Sequence, residues 1–218
     1  MRFVRKTFPF PGLFPALLVL LPLPRAQEPA SLPPPARVER RLGLMGTTLT
    51  LGVAAAGRPQ ALAASEAAVE ALEAAEIRLS TWRSDSELAR LNSAPAGTSV
   101  PLSPILSREL AQAALWWRET AGAFDPGVGA LVAAWDLRHG GRMPGDAEIR
   151  AALSSGGFRA LRLEGRNATR LDPGLLLEEG GFGKGAGLDA AARALKAAGA
   201  VQAVLDLGGQ ILVFGERT

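Results

Sequence analysis

The chain has 218 residues, of which 48% are hydrophobic and 21% charged, a composition that indicates a globular protein and excludes a disordered one. Its formal net charge of +3 would suit a nucleic-acid partner, but residues 1–26 hold four basic residues and no acidic one. Without them the net charge is about −1, which excludes a basic face for a phosphate backbone. The absence of cysteine excludes disulfides, a thiol nucleophile, thiolate metal ligands and a lipid-anchoring cysteine.

Residues 1–26 have the pattern of a secretory signal peptide, with a basic start followed by an apolar segment at residues 13–23. That segment contains two prolines and is too short to span a bilayer stably, because spanning takes roughly 20 apolar residues. We predict cleavage near Ala26 and export as a soluble, periplasmic or extracytoplasmic protein; the alternative is an uncleaved amphipathic tail. Residues 27–40 are predicted to form a Pro-rich linker, and residues 41–218 a single domain.

The first part of the domain is predicted to be mainly helical. A strand over residues 44–54, in which threonines alternate with apolar residues, leads through a Gly-Pro turn into an amphipathic helix over residues 61–79. The apolar stripe of that helix is predicted to consist of Ala64, Ala68, Leu72, Ala75 and Leu79. A capping box that begins at Ser84 predicts a second helix. Further helices are predicted over residues 103–120, within the apolar segment 126–137 and over residues 146–154.

The last third is predicted to contain most of the strands. They are expected over residues 158–163, 168–171, 175–178, 201–206 and 210–214, with a helix over residues 188–198. Gly208 and Gly209 between the last two strands are typical of a hairpin. Because helices and strands mix without regular alternation, the predicted fold class is α+β, with helices packed on a mainly antiparallel sheet.

The Gly-rich segment of residues 180–187, GGFGKGAG, is the main candidate for a ligand site. Successive amides at a helix start, together with Lys184, make a cradle for phosphate. The segment matches neither the Walker A loop nor the GxGxxG fingerprint, and a purely structural turn explains it equally well. Four carboxylates near it in sequence are candidates for a metal or a ribose, or are solvated element ends: Glu178, Glu179, Asp189 and Asp206.

Three other residues lie at predicted element boundaries. Asp125, within GAFDPGVG, either contacts a ligand or caps the helix that follows it. Trp82 either stacks on a flat ring or covers the core. His139 is the only histidine and is predicted to lie in a surface loop, which argues against a His-based catalytic triad.

Five segments of the chain resemble, in order, those of the FAD:protein FMN transferases of the ApbE type. They are Met45-Gly-Thr-Thr, residues 79–92 (LSTWRSDSELARLN), residues 122–132 (GAFDPGVGALV) with Trp135, residues 180–189 (GGFGKGAGLD) and residues 204–211 (VLDLGGQI). Each segment alone is weakly specific, whereas five in register over nearly all of residues 44–215 are specific. The resemblance implies an ApbE-like, T-fold-like architecture.

The resemblance also implies an exported, Mg²⁺-dependent enzyme that uses FAD as its substrate. Such an enzyme moves FMN to a threonine hydroxyl of an acceptor flavoprotein subunit and releases AMP. By matching positions, the residues implied to line the FAD site are Met45, Trp82, Ala123, Phe124, Asp125, Glu178 and Lys184. The backbone carbonyl of Gly181 falls at the position of a metal ligand, and no catalytic residue is assigned.

Two features depart from the pattern of the family. Glu178 and Glu179 stand where members of the family usually have Asp-Leu. Family members also continue past the equivalent of Thr218, with an acidic residue and a threonine-type oxygen that complete the metal site. The resemblance therefore implies a fold that is incomplete at the C-terminus. The alternative functions are an exported FAD-binding module and an inactive, truncated homologue.

Overall fold

The computed structural model describes residues 34–154 and 156–215, so the predicted signal peptide and residues 27–33 of the predicted linker lie outside the described residues. Within the described part, no helix is long and apolar enough to cross a membrane. The elements in chain order are β1 (Ala36–Leu44), β2 (Thr47–Ala55), α1 (Arg58–Leu79), α2 (Glu87–Ser93), β3 (Ser99–Pro101), α3 (Pro104–Glu119), α4 (Gly129–Ala134), α5 (Asp146–Ser154), β4 (Leu161–Glu164), β5 (Asn167–Arg170), α6 (Gly183–Ala197), β6 (Ala200–Leu207) and β7 (Gln210–Phe214).

The strands form two antiparallel sheets, one in the order β1-β2-β6-β7 and one in the order β3-β5-β4. Met45 and Gly46 join β1 to β2 with φ values of 48° and 68°, and Gly208 and Gly209 join β6 to β7 with φ values of 59° and 88°. Two consecutive residues with positive φ suit a tight hairpin turn. The predicted α+β class with mainly antiparallel strands is confirmed, although the strands divide between two sheets.

Helices α1 and α6 pack together and against the four-stranded sheet. The predicted apolar stripe of α1 is fully buried, and its members are Ala64, Ala68, Leu72, Ala75 and Leu79. On α6, Gly187 is buried against α1, where a Cβ would stand 3.0 Å from Leu72 Cδ2. The two helices come this close because α6 has no side chain at that position.

A second hydrophobic core lies between α2, α3 and the three-stranded sheet. Ser103, at which the predicted helix begins, is the N-cap of α3, and its Oγ accepts a hydrogen bond from Leu106 N at 3.1 Å. The carboxylate of Glu87, at the start of α2, accepts hydrogen bonds from both the amide and the hydroxyl of Ser103. One side chain thereby ties the start of α2 to the start of α3.

Three predicted boundaries in the first part of the chain are corrected by the structure. Strand β1 includes residues 36–40, which were assigned to the linker. Met45 lies in the turn before β2 and not in the predicted strand over residues 44–54. Helix α2 begins at Glu87 with Ser86 as its N-cap, because Ser86 Oγ accepts from Ala89 N at 2.9 Å; Ser84 lies outside the helix.

Two predictions in the last third are also corrected. Residues 175–178 do not form a strand; they run beside residues 126–129, with Gly129 N donating to Leu176 O and Glu178 N donating to Pro126 O. Helix α6 begins at Gly183, five residues before the predicted start. Most of the Gly-rich segment is therefore the first part of the helix and not a loop in front of it.

Candidate functional site

A cleft of about 640 Å³ lies where the β1–β2 turn, the end of α1 and the start of α6 meet, and we call it the α1–α6 cleft. Its lining residues are Met45, Gly46, Thr47, Glu76, Ser80, Trp82, Glu179, Gly180 and Lys184. Three residues of the predicted FAD site, Met45, Trp82 and Lys184, thus line one cavity although they come from distant segments of the chain.

Met45 reaches the cleft because the β1–β2 turn places it there. Its φ of 48° is uncommon for a residue other than glycine, and its amide donates a hydrogen bond to Glu76 Oε2 at 3.1 Å. Its sulfur lies 3.3 Å from the point where a Cβ on Gly187 would stand. Contacts with α1 and α6 therefore hold both the backbone and the side chain of Met45.

Trp82 lies in the turn after α1 with 67% of its surface exposed, which excludes the alternative that it covers the core. The guanidinium of Arg138 lies over the indole, with Cζ 5.0 Å from the ring centroid. The same guanidinium donates to the carbonyl oxygen of Thr81 at 2.8 Å and to its hydroxyl at 2.6 Å. Arg138 thus holds the turn from which Trp82 extends, and the ring keeps its exposed surface for stacking.

The carboxylates of Glu178 and Glu179 converge on the hydroxyl of Thr81. Arg138 Nη2 donates to Glu178 Oε1 at 2.6 Å, while the Thr81 hydroxyl lies 2.5 Å from Glu179 Oε2 and 3.3 Å from Glu178 Oε2. Because a hydroxyl donates only one hydrogen, the closer Glu179 is its acceptor. The Arg138 and Glu178 side chains are 29% and 16% exposed, so this ion pair is partly withdrawn from water.

The start of α6 combines free helix amides with a cationic side chain. The first amides of a helix have no acceptor within it and attract anions. Lys184 lines the cleft at this point and makes none of the ion pairs found among the described residues. Gly180 has open space where a Cβ would be, whereas a Cβ on Gly183 would lie 3.2 Å from Glu179. Gly183 and Gly187 therefore serve helix packing, and Gly180 lies open at the cleft.

The short turn at Glu179–Gly181 separates three cavities, so the predicted site residues surround it without sharing one pocket. Glu179 faces the α1–α6 cleft. Gly181 and Phe124 line a cavity of about 820 Å³ between α3 and α6. Glu178 lines a third cavity of about 530 Å³, together with Thr81 and Arg138. The predicted metal ligand and the predicted phosphate cradle therefore lie on neighbouring sides of one turn.

Asp125 holds the loop that carries Phe124. Its Oδ1 accepts hydrogen bonds from Gly127 N at 2.6 Å and from Phe158 N at 2.9 Å. It does not cap α4, because the residue that precedes that helix is Val128. A Cβ on Gly127 would stand 2.4 Å from Phe158 N, so the glycine permits this close approach.

Ala123, the neighbour of Phe124 in the predicted site, is exposed, and its amide donates to Thr120 O at 3.0 Å. Its side chain lines none of the three cavities around the turn. Ala123 could therefore contact a ligand of the α1–α6 cleft only where that ligand extends out of the cleft.

For a metal ion, the described residues contain no group of three histidine, cysteine, aspartate or glutamate side chains. Asp206 accepts from Gly209 N at 2.8 Å and so stabilises the β6–β7 turn, and Asp189 lies on the wall of the 820 Å³ cavity. His139 is exposed and pairs with Asp136 at 2.8 Å. Magnesium takes about six oxygen ligands, so the Gly181 carbonyl and the other described residues do not form a complete magnesium site by themselves.

The loop that carries Arg138 is fixed at its far end by a second arginine. Arg142 donates to both carboxylate oxygens of Glu148, at 2.6 Å and 3.0 Å, and Gly145 N donates to the same carboxylate at 2.8 Å. Hydrogen bonds from Arg142 and then from the Gly145 amide lower the pKa of Glu148 from 4.5 to about 2. This ion pair lies on the surface, away from the cavities.

Sequence reasoning missed three residues of this region: Glu76, Thr81 and Arg138. Glu76 falls outside the apolar stripe of the predicted amphipathic helix, where a carboxylate is ordinary. Thr81 and Arg138 are 57 residues apart, and their contact has no local pattern that would indicate it. The only available signal was the position of Thr81 next to Trp82.

Comparison with known proteins gives one family. The model of the ApbE family matches residues 45–218. A Rhodobacter capsulatus protein named FAD:protein FMN transferase is 36% identical over 138 residues, which cover 60% of this chain and 26% of that protein. A Vibrio cholerae protein of the same name is 30% identical over 151 residues, which cover 66% and 44%.

The fold is similar to a solved structure, the flavin transferase ApbE from Vibrio cholerae, with a TM-score of 0.76 and 27% identity. That match covers 84% of this chain and 61% of the other chain. The predicted ApbE-like architecture is therefore confirmed. The chain spans less than half the length of the two curated relatives.

Proposed function

The chain belongs to the ApbE family, and on that premise we propose that it is an FAD:protein FMN transferase that modifies a threonine of an acceptor flavoprotein. The observation that supports this proposal is the α1–α6 cleft, where Met45, Trp82 and Lys184 meet. In the reaction, the threonine oxygen bonds to the phosphorus of the FMN half of FAD. The pyrophosphate bond breaks, AMP leaves, and the hydroxyl proton is released.

Each side chain of the cleft supplies a different part of the proposed FAD site. Lys184 and the first amides of α6 offer positive charge to the pyrophosphate, because a helix N-terminus attracts anions. Trp82 offers a flat apolar surface to one of the two ring systems of FAD, since offset stacking suits aromatic pairs. Met45, which packs against α6, contributes the β1–β2 turn to the cleft wall. We further propose that Ala123, Phe124, Asp125 and Glu178 complete the site around the Glu179–Gly181 turn.

Magnesium dependence is part of the proposal, with the Gly181 carbonyl as one ligand. The described residues lack a cluster of three metal-binding side chains, so they do not fit the ion on their own. When bound, the ion would neutralise charge on the pyrophosphate. What the described residues themselves contribute is binding and orientation of FAD.

The test is a transfer assay on the full chain. FAD, Mg²⁺ and a threonine-containing acceptor domain are mixed with the protein, and covalent flavin on the acceptor is read by gel fluorescence. A magnesium-dependent band that disappears with an acceptor whose target threonine is replaced by valine supports the proposal. FAD binding without any band would instead favour a flavin-binding module, and absence of FAD binding would contradict both functions.

We also propose that residues 1–26 direct export and that residues 36–218, which begin with β1, form the transferase domain. The basic start and the short apolar segment of the leader support this proposal. Fusion of residues 1–40 to a reporter that is active only outside the cytoplasm tests it. An inactive fusion with a stable reporter would contradict export.

A further inference from the structure

We propose that Arg138 is a positioning residue of the FAD site, which holds Glu178 and the Thr81 turn and thereby sets the orientation of Trp82. This inference rests on the proposed function and assigns a role to a residue outside the segments that carry the resemblance. It follows from one side chain that contacts three others around the Glu179–Gly181 turn.

The hydrogen bonds of Arg138 match the donors of a guanidinium. Nη1 donates to Thr81 O at 2.8 Å, and the two hydrogens of Nη2 go to Thr81 Oγ1 and Glu178 Oε1, both at 2.6 Å. Thr81 Oγ1 in turn donates a hydrogen bond to Glu179 Oε2 at 2.5 Å. One guanidinium therefore orders two carboxylates, one directly and one through a hydroxyl.

The charges around the cleft explain why a cation is needed at this place. Glu76 and Glu179 line the cleft and Glu178 lies beside it, whereas Lys184 is the only cationic residue of the cleft wall. The pyrophosphate of FAD is anionic, so uncompensated carboxylates next to it would weaken its binding. Arg138 supplies the compensating charge from outside the cleft, where it leaves the space for the ligand free.

The contact with Trp82 gives Arg138 its second task. A guanidinium over one face of an indole is attracted to the ring and restricts its rotation. Because 67% of Trp82 is exposed, few other contacts hold the ring in place. Without Arg138, the indole would move more freely. Part of the free energy of stacking on a ligand would then be spent on ordering the ring, which lowers the affinity.

Lysine cannot replace all of these contacts. Its ammonium keeps the charge and can pair with Glu178, but it lacks the planar fork that reaches Thr81 O and Thr81 Oγ1 together. The Arg138→Lys variant should therefore recover part of the FAD affinity that Arg138→Gln loses. The matched control is Arg142→Gln, because Arg142 in the same loop makes a similar pair with Glu148 away from the cavities.

The experiment measures FAD binding and Trp82 motion in the full-length protein and in these three variants. FAD affinity is taken from quenching of flavin fluorescence, and KM and kcat follow where transfer is measurable. Motion of Trp82 is taken from fluorescence anisotropy decay without FAD, as the difference between each protein and its Trp82→Phe partner. We expect Arg138→Gln to weaken FAD binding about tenfold, the equivalent of one charge-assisted hydrogen bond, and to raise KM more than it lowers kcat.

The outcomes separate this inference from the proposed function. The role of Arg138 is supported if Arg138→Gln shows faster local motion of Trp82 and weaker FAD binding. Arg138→Lys should recover part of both properties, and Arg142→Gln should behave like the wild type. If the wild type binds FAD and Arg138→Gln binds it equally well, the inference is wrong while the proposed function stands. If the wild type binds no FAD, the proposed function fails, and unchanged motion of Trp82 in Arg138→Gln would then overturn the positioning role as well.

Discussion

Replacement of Asn92 by alanine should destabilise the protein, because this side chain holds a buried segment that has no strand partner. Asn92 Nδ2 donates to Leu177 O at 2.9 Å, and its Oδ1 accepts from Leu177 N at 2.8 Å. Leu177 is fully buried, so both of its backbone groups would lose their partner without gaining water. An orphaned buried group costs about 1–3 kcal/mol, and the pair should therefore cost about 2–6 kcal/mol.

Urea unfolding followed by far-UV circular dichroism measures this loss. Since the slope for small proteins is about 1–3 kcal/mol per M urea, the midpoint should fall by about 1 M or more. Asn167→Ala is the control, because Asn167 is exposed at the start of β5. If both variants unfold within about 0.5 kcal/mol of the wild type, water or a backbone shift satisfies Leu177, and the reasoning fails. Glu178 follows this segment directly, so the loss should also weaken FAD binding.

Three further predictions concern the packing of α6, the cleft and the surface ion pair of Glu148. Gly187→Val should cost about 1–3 kcal/mol in urea unfolding, because its Cβ would stand 3.0 Å from a leucine of α1, whereas Gly180→Ala, with open space, should be neutral. Lys184→Ala should weaken FAD binding about tenfold in a flavin-quenching titration, while Lys196→Ala at the other end of α6 should not. Unchanged FAD affinity in Lys184→Ala would contradict the assignment of a phosphate cradle to this segment. The pKa of Glu148 is lowered to about 2, so its ionised form stabilises the fold when the pH lies above the usual pKa of a carboxyl group. This contribution is lost as the pH falls towards 2. The difference in melting temperature between the wild type and Glu148→Gln should therefore be full near pH 6 and vanish near pH 2; a difference independent of pH would contradict this assignment.

Elements with a strong local signal were predicted well. The stripe of α1 repeats with the period of a helix, and all five of its predicted members are buried. Helix α3 was predicted to begin at Ser103, and Ser103 is its N-cap, in front of a proline, a combination that local chemistry favours. In both cases the information lies within one or two turns of the chain, so no tertiary contact is needed to read it.

Elements that depend on tertiary packing were not predicted. Glycine disfavours a helix, so the segment of residues 180–187 reads as a loop, yet α6 begins at Gly183 because the missing side chains let it approach Glu179 and α1. Strand β1 carries charged residues on one face, as suits a strand at the edge of a sheet, and follows a Pro-rich segment that obscures it. The contacts of Arg138 arise only when distant segments meet.

The position of the cleft follows from the way the two cores are joined. Helix α1 contributes Leu72 to the core of the four-stranded sheet and Leu79 to the core of the three-stranded sheet. Helix α6 contributes Leu188 to the first core and packs Ala186 against the second. The end of α1 and the start of α6 therefore lie at the junction, where neither core covers the backbone completely. Glycines at this junction leave amides open to a ligand, while the packed helices on both sides keep those amides in place. A substitution within either core would move one wall of the cleft relative to the other, so FAD affinity should respond to core substitutions that lie far from the ligand.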